Sequence, residues 1–177
     1  MFGWGKKKDE EVVEAVCSRL RPLFRILEHR LNGFPQGLAT DPYLLGYIVG
    51  AATIFTQIEA GGQATQSLRG LASLSALQSV FVPLNFTLQQ ASAAINLMAA
   101  HPEGRKGARA ANLILGVGAG KTDQDNEPEI ISAKKAVAAM PEDIRKMLGG
   151  TPQSLLLNEL LERLFFVPLE DKFGSRQ

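Results

Sequence analysis

Apolar residues recur along most of this chain at steps of three and four, the spacing that gathers them on one side of an α-helix. Val13, Val16, Leu20, Phe24, Leu27 and Leu31 mark a helix over residues 9–31. Pro22 lies inside that pattern, removes a backbone donor and crowds the preceding turn, so a kink or restart is expected near Leu20. The stretch NGFPQGLATDP, residues 32–42, is loop chemistry. Asp41-Pro42 then opens a second helix, because Asp caps the first amides and Pro suits the first helical position. Gly61-Gly62 stops it near Ala60. A third helix is expected over 64–81, with Leu68, Leu71, Leu74 and Leu77 along one side and a break at Val82-Pro83. A fourth is expected over 83–100, where Leu84, Leu88, Ala91, Ile95 and Met98 form a heptad-like seam. Short links make these neighbours antiparallel.

A weaker fifth helix covers 103–116, and Gly116 to Glu127 reads as loop. Glu127-Pro128 starts a sixth, carrying Ile130, Ala133, Val137 and Met140. It restarts at Met140-Pro141 and ends at Gly149-Gly150. Thr151-Pro152 launches a last amphipathic helix striped by Leu156, Leu157, Leu160, Leu161 and Leu164, which Val167-Pro168 closes. No segment alternates with period two, and no internal repeat is visible. The expected fold is all-α: a single-domain bundle of about seven helices over 9–168, with an antiparallel helical meander at its centre. Residues 1–8 are expected to be a flexible basic tail and 169–177 a polar one.

Charge is distributed unevenly. Between Asn32 and Ala100 only Asp41, Glu59 and Arg69 are charged, while the other 34 charges fall in the remaining 108 positions. The second helix carries Gly46, Gly50, Ala51, Ala52 and Thr53 where a wet helix side would show Lys and Glu. Small residues let helices approach closely. The leading reading is that these helices are core, covered by the charged terminal helices of the same chain. A compatible reading is that part of the surface meets a second copy. Membrane insertion is disfavoured, since Gln78, Asn85, Gln89, Gln90 and Asn96 cross the later uncharged run. Tyr43, Gly46, Tyr47 and Gly50 are candidates for an exposed contact face. Under that reading a leucine at position 46 or 50 disrupts assembly.

Candidate chemistry is sparse. LGVGAGKTD, residues 115–123, ends like a phosphate-binding loop, but the first glycine of that motif should stand where Leu115 does. It also follows a helix rather than a strand, and the acidic TDQDNEPE comes after it. A helix C-terminus with left-handed glycines is the favoured reading. Asp123, Asp125 and Glu127 alternate like calcium ligands, yet Pro128 and Lys134 occupy the positions that need Gly and Glu. His29 and His101 lie in no metal-binding spacing, and Cys17 reads as a small core residue. Arg105, Lys106 and Arg109 cluster without aromatic partners, so nucleic acid is not a favoured ligand. No catalytic, cofactor or metal residue is assigned.

Net charge of +1, a lone cysteine and the absence of a signal-like apolar run point to a cytoplasmic protein. The function expected is a non-enzymatic interaction module, most simply a homodimer. One alternative is an apolar small-molecule or lipid binder with an inter-helix pocket, touching membrane through MFGWGKKK. A more remote alternative is a nucleotide-dependent enzyme using 115–122.

Overall fold

In the computed structural model the chain is described over residues 4–121, 123–148 and 150–174, with side chains described from Lys8 onward. The all-α class holds, with no strand among the described residues. Contacts within the chain gather into two compact units, Met1–Ala111 and Asn112–Gln177. Their boundary falls inside a helix, a division that the sequence pattern does not reveal.

The first unit opens with α1, Trp4–Arg30. It starts five residues before the expected position and runs unbroken through Pro22, so the restart near Leu20 does not occur. Val16, Leu20, Phe24 and Leu27 are buried on both sides of the proline and hold the helix in register. Pro22 and Ser18 are exposed, so the carbonyl left without a donor can be hydrated. Helix α2, Pro42–Glu59, begins as the sequence predicts: the Asp41 carboxylate accepts from the Leu44 amide at 2.9 Å, itself buried. It packs against α1, against α3 (Gln66–Val80) and against α4 (Leu88–Ala100). Leu44, Leu45, Tyr47, Ile48, Ala51 and Ala52 are buried along it. Arg19 of α1 ties to Glu59 of α2, with a guanidinium–carboxylate distance of 2.5 Å, and lies over the Phe55 ring.

Two elements of this unit depart from expectation. Helix α3 buries Ala72, Ser73, Ala76 and Val80 beside Leu68 and Leu77, and leaves Leu71 exposed. The fourth helix does not begin at residue 83. Val82–Leu84 forms one 3₁₀ turn, Asn85 takes a left-handed φ of 52°, and α4 starts at Leu88. The cause is a capping box: the Thr87 hydroxyl accepts from the Gln90 amide while the Gln90 side chain accepts from the Thr87 amide. Leu84 therefore never joins the Leu88–Ala91–Ile95–Met98 seam, and Leu88 itself lies exposed.

Helix α5, Pro102–Gly118, contains the boundary between the units. In the second unit, α6 (Pro128–Ala139) packs on α8 (Pro152–Leu161), and α7 spans Glu142–Met147. Thr151 caps α8 as expected, its hydroxyl accepting from Ser154. Ile130, Ala133, Leu155, Leu160, Phe165, Phe166 and Leu169 are buried. The closing stop at Val167-Pro168 is not observed. A π-helical turn, Glu162–Phe166, leads directly into α9, Val167–Phe173. Widening the turn ahead of Pro168 relieves the clash of its ring with the preceding carbonyls, so the helix passes through the proline. The expected tail boundaries at residues 8 and 169 thus both fall within helices. Met1–Gly3 and Ser175–Gln177 lie outside the described residues.

Candidate functional site

The four residues proposed for an exposed contact face do not form one. Gly46 and Tyr47 are buried, and Tyr43 and Gly50 are half-buried. What approaches the glycines is α5 of the same unit. A Cβ built on Gly46 would overlap the Gly104 carbonyl, and one on Gly107 would overlap the Tyr43 carbonyl. A Cβ on Gly50 would lie 2.9 Å from the Ala108 Cα. Two helix backbones therefore cross in near contact, with glycines contributed from both sides. The sequence signal, paired glycines four apart, was correct about close approach. It could not say whether the partner was intramolecular, because α5 looked weak in isolation.

The crossing buries phenols. Burial pushes the Tyr43 hydroxyl up to about 12, with the negative charges of Glu103 and Asp41 adding to the effect. Burial raises Tyr47 further still, with Tyr43 as the secondary cause. These groups stay protonated at any ordinary pH and act as packing and hydrogen-bonding side chains rather than as bases.

In the phosphate-loop-like segment the amides of Ala119, Gly120 and Lys121 are occupied. Gly120 N–H donates to the Val117 carbonyl at 3.0 Å and Lys121 N–H to the Gly116 carbonyl at 2.9 Å, with Gly120 at φ 73°. That is a Schellman closure of α5, and the donors a phosphate needs point at the helix's own carbonyls. A side chain at Gly116 would overlap the Gln124 amide, which folds back over the helix there. Thr122 lies outside the described residues. Asp125, one of the calcium-like carboxylates, pairs with Lys134 at 2.8 Å. Among the described residues, no group of three or more His, Cys, Asp and Glu side chains is placed to hold a metal. Cys17 is buried, and burial followed by Glu14 raises its thiol above the ordinary value.

Another surface differs from the sequence pattern, which placed Leu84 and Leu88 in a helical seam. Val82 is 65% exposed, Leu84 40%, Leu88 55% and Leu97 42%. They belong to the 3₁₀ turn and to α4, within the charge-free stretch 70–100. Nearby, a groove of about 300 Å³ runs between α1 and this turn, lined by Phe24, Phe34, Val82 and Pro83 with Arg21 and Arg25 at its edge. Arg21 is held by Glu14 at 3.0 Å and by the Ser79 hydroxyl at 3.1 Å. The capping box at Thr87 was the available signal, since it separates Leu84 and Leu88 from the buried seam.

Fold and surface together define an all-helical protein with a charge-free stretch that exposes four large aliphatic side chains between residues 82 and 97. Comparison with protein-family models, curated proteins and solved structures finds no match for the chain. Among the described residues no helix is long and apolar enough to cross a membrane.

Proposed function

We propose that this protein is a non-enzymatic interaction module that docks through the surface made by Val82–Leu84 and the outer side of α4. The carrying observation is the exposure of four large aliphatic side chains within residues 82–97, which carry no charge. Scattered apolar residues are ordinary on a surface, but four within sixteen residues that carry no charge favour burial against a partner. A reducing, cytoplasmic setting fits the free buried thiol of Cys17.

Site-specific photocrosslinking in cells tests the reading. A photoreactive residue at Val82 or Leu97 is expected to give a discrete protein adduct, the chain itself included, and one at the exposed Glu142 of α7 is not. No adduct at either apolar position would refute the proposal. A second reading, an apolar ligand, draws on the groove beside Phe24 and Phe34. Native mass spectrometry of the purified chain tests it: a retained small molecule that Phe34→Ala releases would support it, and a bare polypeptide mass would not.

A further inference from the structure

We infer that Asn32-Gly33 is a site of covalent modification, at which the Asn32 side-chain amide is lost through a cyclic imide when the C-terminal turn of α1 opens. The inference is independent of the interaction reading above.

Of the six asparagines only Asn32 precedes a glycine; the others precede Phe86, Leu97, Leu113, Glu127 and Glu159. The neighbour matters because its backbone nitrogen is the nucleophile. Glycine has no Cβ, so nothing shields that nitrogen and the backbone turns freely toward the side chain. The Gly33 nitrogen attacks the Asn32 Cγ, and an N–Cγ bond forms. The Cγ–Nδ2 bond breaks, and Nδ2 leaves as ammonia with the proton that the Gly33 nitrogen gives up. Water then opens the imide ring. Attack at Cγ leaves aspartate on an ordinary main chain. Attack at the Asn32 main-chain carbonyl leaves isoaspartate, whose main chain runs through the side-chain carbon.

The fold holds this reaction closed. Asn32 stands at φ 54° and Gly33 at φ 107°, at the end of α1. Gly33 N–H donates to the Glu28 carbonyl at 2.8 Å, and Asn32 N–H to the His29 carbonyl at 3.3 Å. These are the two bonds of a Schellman closure, with asparagine in the left-handed position it tolerates. The nucleophilic nitrogen is thus engaged through the proton it must lose, and the buried Leu31 anchors the turn beside it. Around the pair there is room to react. Asn32 is exposed, and a Cβ built on Gly33 meets nothing within 4 Å. Opening of this one turn therefore controls the rate, and helix ends open at lower cost than cores.

The products fit the closure less well. Aspartate puts negative charge at a helix C-terminus, where the dipole opposes it. Isoaspartate adds a methylene to the main chain between the two bonded amides. Phe34, the residue after Gly33, lies edge-on to Phe81 at 6.0 Å and lines the groove beside α1, so the change reaches that surface.

Peptide mass spectrometry and isoaspartyl-specific enzymatic methylation test this on the full chain, aged at mildly alkaline pH with and without guanidinium chloride. Asn32 should lose its amide about tenfold or more faster in denaturant than in the fold. In denaturant it should also outpace every other asparagine. Leu31→Ala, which loosens the turn and keeps the Asn-Gly pair, should speed the loss in native buffer and leave the denatured rate unchanged. If that variant does not fold, the wild-type ratio decides alone. Equal wild-type rates in native buffer and denaturant would overturn the control by the turn. An Asn32 that reacts no faster than the other asparagines in denaturant would overturn the site itself.

Discussion

Gly46, Gly107 and Gly70 are all helical glycines, yet only the first two lie where a methyl group meets another backbone. Gly46→Ala and Gly107→Ala should each destabilise the chain by about 1–3 kcal/mol in urea denaturation, as overpacking does. Gly70, in α3, has nothing within 4 Å of its hypothetical Cβ. Gly70→Ala should stabilise by about 0.5–1 kcal/mol, the helix-propensity gain alone. Equal effects at the three positions would show that the α2–α5 crossing does not control their cost. Gly46→Leu, conceived from the sequence as a test of assembly, becomes a test of folding. Cys17 gives a separate reading at this scale. Its burial predicts that a thiol-reactive dye labels it slowly in native buffer and rapidly in denaturant. Fast native labelling would contradict its position in the α1 core.

Among the elements, the ends of α1 to α5 fell within two residues of expectation, whereas the starts of α1 and α4 were five residues off. Asp41, Thr65 and Thr151 each cap a helix through local hydrogen bonds that neighbouring residues determine. The Pro22 and Pro168 stops failed because a proline costs a few kcal/mol at most, and burial on its two sides can offset that. The start of α4 failed for a different reason. A four-three-four-three apolar spacing was read across Pro83, although Thr87 and Gln90 carried the competing signal. The box predicts a measurable effect: Thr87→Ala should cost about 1 kcal/mol and speed amide hydrogen exchange in the first turn of α4. An unchanged exchange pattern would mean that the box does not define that end.

For the whole molecule, the buried tyrosines set an alkaline limit. A tyrosine in the unfolded chain ionises near pH 10. Tyr43 in the fold holds its proton to about 12, and Tyr47 is raised as well. Between those values the unfolded state has lost protons that the folded state retains, so stability falls as pH rises. The contribution is fully present below pH 10. Absorbance titration near 295 nm should show little tyrosinate until unfolding begins, and Tyr47→Phe should reduce the alkaline loss. Free ionisation of both phenols near pH 10 in a folded sample would contradict the crossing.

Taken alone, the sequence determined the all-α class, the caps of α2 and α8, the weakness of the phosphate-loop match and the position of the charge-poor region. All of these depend on contacts a few residues apart, or on composition. Tertiary structure decided which charge-poor faces were closed. Tyr47 and Gly46 went inside because Gly104, Gly107 and Ala108, some sixty residues later, bring α5 against them. Val82, Leu84, Leu88 and Leu97 stayed outside because no described helix covers them. Helical periodicity assigns a residue to a side of its own helix, but only the packing of distant segments determines whether that side meets protein or water.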